Sequence, residues 1–268
     1  MATATELWGY RGLIGNLAQR ELKAKYKRSV LGWLWSLINP ATTLVIYTIV
    51  FGTLLQIEVP VAGNGHTESF ALFLFAALVV WNFFNAVLNG SMIALISAGP
   101  LLRRVYFPPE CPPIANMLAG LIQTLLEVVI LVVVLVMVGN LGWTVLLTPF
   151  LLVLLGMFSI GVALVASLFN VRYRDVNYLI TIALQLLFYA TPIIYPYTLV
   201  EDKAPRWIEI AVTVNPLTQF VGAARDIFYL QQVPSAGRCL GLLGISLTSL
   251  LAGWAIFRAG SRDVIEEL

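Results

Sequence analysis

Six stretches of this chain, near residues 34–56, 70–95, 113–138, 143–169, 177–195 and 238–257, run apolar without serious charge. Each is long enough to cross a bilayer, whose hydrocarbon core of about 30 Å needs roughly 20 apolar residues per helix. Inside that core a backbone must satisfy its own hydrogen bonds, and a run as continuous as Ile130 to Val138 suits a helix, not a barrel strand of alternating polarity. The expected fold is an all-α integral membrane protein in one unit over 1–268: an amphipathic segment at 1–33, a six-helix bundle at 34–257 and a tail at 258–268. Composition agrees, since 59% of residues are hydrophobic and only 11% charged, with a mean hydropathy of +0.88, whereas a soluble domain carries about 25% charge.

Orientation follows from the basic residues. The segment before the first window carries six Lys and Arg, and the connections at 96–112 and 170–176 and the tail carry two each; those at 57–69 and 139–142 carry none. Lys203, Arg206, Arg225 and, at its far edge, Arg238 mark the 196–237 connection, where Glu201, Asp202, Glu209 and Asp226 offset them. Twelve basic residues against four place both termini in the cytoplasm. About thirty mostly polar and basic residues precede the first window, so it is expected to stay as a span. Cys111 and Cys239 then fall on opposite faces, which forbids a disulfide within the chain.

Several chemistries are excluded. A net charge of +2 with basic residues clustered by topology does not suit nucleic acid. No Gly-Lys dipeptide occurs, so the chain lacks a phosphate-cradling loop and any ATP must be hydrolysed by another polypeptide. The one histidine, His66, lies in a loop expected outside, and no Asp-x-Asp occurs, which leaves neither a metal site nor an acid–base pair. Glu127 is the one carboxylate within a window. It suits helix-to-helix hydrogen bonding or dimer packing better than an ion relay, which needs a series of titratable groups.

The connections leave alternatives open. Trp207 to Leu217 holds apolar pieces too short to span, interrupted by Asn215-Pro216, which fits two short helices dipping into the outer leaflet or a folded external loop. The 97–112 connection predicts a turn or two of helix bounded by prolines, with Leu101, Leu102, Val105 and Tyr106 on one face. Such a helix docks into a partner's groove or lies on lipid.

The segment Arg20-Glu21-Leu22-Lys23-Ala24-Lys25-Tyr26-Lys27-Arg28-Ser29-Val30-Leu31-Gly32-Trp33-Leu34-Trp35 runs straight into the first window, which is expected to break at Asn39-Pro40. Phe107-Pro108, Arg172-Tyr173-Arg174-Asp175, Thr191-Pro192-Ile193-Ile194-Tyr195-Pro196 and Asn215-Pro216-Leu217 follow in order. Together these resemble the membrane subunits of type-2 ABC exporters, specifically the Wzm-like permeases that export O-antigen, teichoic acid or galactan.

That resemblance implies a set of roles. Residues 6–31 look like a gate helix at the cytoplasmic interface, with Arg20, Lys23, Lys25, Tyr26, Lys27 and Arg28 near a lipid headgroup. Residues 98–107 look like a coupling helix received by an ATPase subunit, through Leu101, Leu102, Arg103, Val105, Tyr106 and Phe107. The 197–235 segment looks like an outer re-entrant pair. Such permeases form homodimers with two copies of a separate nucleotide-binding subunit, which holds ATP and Mg²⁺; this chain is expected to carry no cofactor, no metal and no catalytic residue. The cargo would be a polyprenyl-diphosphate-linked cell-envelope polysaccharide, such as a galactan, exported across the cytoplasmic membrane. Tyr47, Phe51, Phe188, Tyr189, Tyr195 and Tyr197 are candidates to line the path, because sugar rings present apolar faces to aromatics; an interfacial belt explains each of them singly. Export of drugs or small lipids, or a membrane-embedded glycan- or lipid-modifying enzyme, are the competing functions.

Overall fold

The computed structural model describes residues 4–26, 35–173 and 175–267. Two amphipathic helices, α1 (Ala4–Gly9) and α2 (Arg11–Tyr26), precede α3 (Trp35–Tyr47), which continues as wider π-helical turns over Thr48–Leu54. Then come α4 (Phe70–Leu102), α5 (Cys111–Val138), α6 (Thr148–Arg172), α7 (Val176–Ala190), three short helices α8 (Thr198–Lys203), α9 (Arg206–Val214) and α10 (Pro216–Phe228), and finally α11 (Ala236–Glu267).

Among the described residues, Phe70–Leu102, Cys111–Val138, Trp143–Arg172 and Ala236–Ser261 are long and apolar enough to cross a membrane. Shorter apolar helices, Pro40–Leu54 and Val176–Ala190, occupy the first and fifth windows. The chain is therefore an integral membrane protein, all-helical and with four span-length helices among the described residues. Asn39-Pro40 does not break the first window as the sequence suggested: α3 runs through Pro40. Proline there removes one backbone donor, and the Thr42 hydroxyl bonds the Ile38 carbonyl at 2.8 Å in the same turn.

Helix α4 is the centre of the bundle, with most of its side chains buried from Phe70 to Leu102. Its start is capped by Ser69, whose hydroxyl accepts from the Leu72 N–H at 3.4 Å. At 33 residues and 1.5 Å per residue it is about 50 Å long, well beyond the ~30 Å core. Its last turns are therefore free to leave the apolar layer.

Lipid tails are as apolar as leucine, so helices in a membrane associate through close approach of small residues and polar bonds. Gly161 on α6 and Gly253 on α11 meet backbone to backbone, and a Cβ on either would overlap the other helix. Ser249 adds a hydroxyl bond to the Phe158 carbonyl at 2.8 Å. Between α4 and α5, Gly90 makes room for Asn116, whose amide donates to the Val87 carbonyl at 3.3 Å and the Ser91 hydroxyl at 3.3 Å.

The segment after α7 is packed into the bundle. Phe220, near the start of α10, lies 5.5 Å from the ring of Phe158 in the middle of α6, while Tyr229, just past its end, lies 5.5 Å from Phe73 near the start of α4. Helix α10 thus runs from the bundle interior toward the end where α4 begins. Arg225 is 6% exposed, stacks over Phe73 with 3.5 Å from its guanidinium carbon to the ring centroid and donates to the Ile193 carbonyl at 2.7 Å. The same end is pinned by Asn140, whose amide donates to the Tyr229 carbonyl at 3.0 Å and whose carbonyl oxygen accepts from the Asn64 N–H at 3.1 Å.

The α6–α11 contact generates a test. Gly253→Leu should lower the thermal unfolding midpoint in detergent by the equivalent of about 1–3 kcal/mol or more, whereas Gly244→Leu on the same helix, where a Cβ meets nothing within 4 Å, should change it little.

Candidate functional site

The N-terminal helices rest on the end of the bundle where α4 finishes. Leu7, Ile14, Leu17 and Ala18 bury one face of α1 and α2 in a cluster with Leu95, Ala98 and Leu102 of α4, Phe107, Cys111 and Ala115 of α5, Ile160 and Leu164 of α6, and Phe257 of α11. The opposite face stays in solvent or headgroup: Arg20 and Lys23 are exposed, and Arg20 pairs with Glu21 at 3.3 Å, an exposed pair worth little. Lys27, Arg28 and the rest of 27–34 lie outside the described residues, as do Arg174 and the side chains of Lys25 and Tyr26.

The expected short helix over 98–107 forms differently. Helix α4 carries through Pro100 to Leu102, a turn follows, residues 106–108 lie outside any helix, and a second turn, closed by the Cys111 N–H on the Pro108 carbonyl at 3.0 Å, leads into α5 at Cys111. The residues expected to couple to an ATPase subunit divide. Leu102 and Phe107 are buried, Phe107 to 2% exposure, whereas Val105 and Tyr106 project at 56% and 68%, beside exposed Arg103 and half-buried Leu101. The loop therefore has an inward anchor, Phe107, and an outward prong, Tyr106. Next to it Glu110 is buried at 2%; among the described residues its Oε2 has no hydrogen-bond partner, and burial pushes its carboxyl above the usual carboxylate range, with Arg258 opposing.

Within the bundle the aromatics gather. The ring of Tyr47 lies 5.7 Å from Phe51 and 6.0 Å from Phe188, and Phe188 lies 5.2 Å from Trp81 and 5.3 Å from Tyr189. Tyr195 joins through its hydroxyl, 2.9 Å from the Tyr189 carbonyl. Tyr197 does not join: its hydroxyl bonds Thr213 of α9 at 2.6 Å. Trp81 escaped the sequence reading because it stands inside an unbroken apolar window.

Tyr47, Trp81, Phe188 and Tyr189 wall a cavity of about 460 Å³ between α3, α4 and α7, whereas Phe51 and Tyr195 pack behind it. A second cavity, of about 680 Å³, opens between α2, α3, α4 and α5. Thr43, Asn82, Asn85 and Asn89 border both. Spaced at three, four and seven residues, the three asparagines form one stripe along α4. Across from them Glu127, 3% exposed, accepts a 3.2 Å bond from the Asn82 amide, which is the helix-to-helix role the sequence favoured for it. The amides were not singled out from sequence, because averaging over an apolar window hides three polar residues; their helical spacing was the available signal.

A profile of the family described as ABC-2 type transporter matches residues 13–229. The chain is similar to the O-antigen export system permease protein RfbA of Myxococcus xanthus, with 29% identity over 264 residues and 98% of each chain covered. It is also 27% identical over 246 residues to the protein of the same name from Klebsiella pneumoniae, covering 88% of this chain and 90% of that one.

The split of the loop is testable. Phe107→Ala should cost about 3–5 kcal/mol of stability, the range for an emptied buried aromatic site, read as a lower unfolding midpoint in detergent. Tyr106→Asp should leave that midpoint within about 0.5 kcal/mol of the parent, as expected for a solvent-facing position.

Proposed function

The chain belongs to the ABC-2 type transporter family, and from that premise we propose that it is the membrane subunit of an ATP-driven exporter of a cell-envelope polysaccharide. The observation that carries the proposal is similarity along 98% of both chains to an O-antigen export permease. The cargo is a polyprenyl-diphosphate-linked glycan, a galactan being one candidate, moved outward across the cytoplasmic membrane with both termini on the cytoplasmic side.

In this reading α3 and α7 complete a six-span bundle, although each is shorter than the four long helices. Two copies of the chain form the channel, and two copies of a separate nucleotide-binding subunit hold ATP and Mg²⁺. The exposed apolar side chains of α7, among them Leu179, Ile182 and Leu186, suit a face covered by lipid or a second copy. The passage of α10 from the bundle interior outward supports a re-entrant α9–α10 pair.

In this reading the exposed Tyr106 and Arg103 contact the ATPase subunit, and Phe107 ties that contact to α2 through the shared apolar cluster. A push on the loop therefore reaches the amphipathic helices, where Arg20 and Lys23 meet the anionic headgroup of the cargo. The aromatic wall of Tyr47, Trp81, Phe188 and Tyr189 offers flat apolar surface on which sugar rings slide.

Depleting the permease should make lipid-linked glycan accumulate in the cytoplasmic leaflet. Wild-type protein should clear that pool, and Tyr106→Asp, although folded, should not. No accumulation on depletion would contradict the exporter reading, and clearance by Tyr106→Asp would remove the docking role.

A further inference from the structure

The polar stripe on α4 is costly for an apolar helix, since an amide held away from hydrogen-bonding partners in a dry interior loses the bonds it made to water and gains none in return. Part of it has a structural explanation. Asn116 fastens α5 to α4, and Asn82 fastens α4 to Glu127. Asn85 and Asn89 are different, because the Asn89 side-chain amide donates to the side-chain oxygen of Asn85 along their own helix, a bond that joins no two helices. Both are half-buried, and both border the amide-lined cavity and the aromatic one.

The setting matches one ligand chemistry. The 680 Å³ space falls within the ~300–1,000 Å³ of small-ligand sites. Its wall combines asparagine and glutamine amides, which both donate and accept, with the Glu127 carboxyl group. A sugar hydroxyl also donates and accepts, and neighbouring hydroxyls suit a planar amide that offers both functions side by side. The aromatic side of the stripe, Trp81 and Tyr47, offers surface for the apolar face of the same ring. A hydrocarbon chain or apolar drug in this space would strip water from the amides and leave them unpaired, with that same loss.

We propose that Asn85 and Asn89, with Gln123 and Glu127 opposite, form a hydroxyl-binding station within the bundle that holds one or two sugar units of the glycan during passage. This rests on the exporter reading and adds to it: the amides select a polyhydroxylated cargo over an apolar one, whichever lipid carries it.

The test uses the full-length permease in lipid nanodiscs. The probe is the glycan pool that accumulates in permease-depleted cells, offered intact on its lipid and again after mild acid has released the glycan. Asn85→Leu with Asn89→Leu keeps the branched shape at a somewhat larger volume and removes the hydrogen bonds, while Asn85→Gln with Asn89→Gln, also larger, keeps the amides. The station predicts that released glycan binds the parent protein, that the leucine pair weakens binding by about tenfold or more, as expected for hydrogen bonds lost inside a site, and that the glutamine pair keeps most of it. Thermal unfolding is expected to be alike for all three, because the Asn85–Asn89 bond joins no helices.

Equal binding by the leucine pair and the parent overturns the station while leaving the exporter reading intact. Binding of the intact molecule with none of the released glycan overturns it too, since recognition then lies with the lipid. Absence of any accumulated glycan overturns the exporter reading, and the station falls with it.

Discussion

Helices immersed in hydrocarbon gain little by hiding apolar side chains from lipid, so this bundle depends on the places where backbones approach closely or polar groups bond. The contact of Gly161 with Gly253 sets the distance between α6 and α11. Gly90 with Asn116, and Asn82 with Glu127, join α4 to α5. Arg225 replaces a water shell with the Ile193 carbonyl and the face of Phe73, which locks α10 to α4 and to the turn after α7. Helix α4 takes part in most of these contacts, and the cavities and loops are arranged around it.

Both ends of the bundle follow from that arrangement. At one end the last turn of α4, the Phe107 anchor and the buried face of α1 and α2 share a single cluster. Movement of the exposed loop is thereby mechanically joined to the helices that would receive the cargo headgroup. At the other end Asn140, Thr144 and Tyr229 tie the connections together: the Thr144 hydroxyl bonds the Ile227 carbonyl at 2.7 Å and the Tyr229 hydroxyl bonds the Pro60 carbonyl at 2.8 Å. Between them lie the aromatic wall and the asparagine stripe.

Much of this was legible in the residues. Apolar length marked six windows as spans, of which four are span-length helices among the described residues, and Asn215-Pro216 marked the junction of α9 and α10, where the Asn215 side chain caps the helix by accepting from the Leu217 N–H at 3.0 Å. Other features depend on which helices become neighbours. Nothing near Gly161 or Gly253 says that they meet, and Arg225 counted only as one of the basic residues offset in the 196–237 connection, although it is buried while Asp226 bonds Arg238. The end of α4 was misread because Pro100 marks a helix boundary by residue type, whereas the helix runs through it for two more residues, to Leu102, at the loss of the one backbone donor that proline lacks. In the candidate site the aromatics of α3 and α7 were visible one by one, but Trp81 and the asparagines gain meaning only once α4 is seen to face both cavities.

The most direct measurement reconstitutes the permease with its ATPase partner in proteoliposomes, the ATPase facing outward, and follows lipid-linked glycan supplied to the outer leaflet. The account predicts that the glycan becomes protected from an added glycosidase only when ATP, the partner and the permease are all present. Protection without the partner, or none with all three, would contradict it.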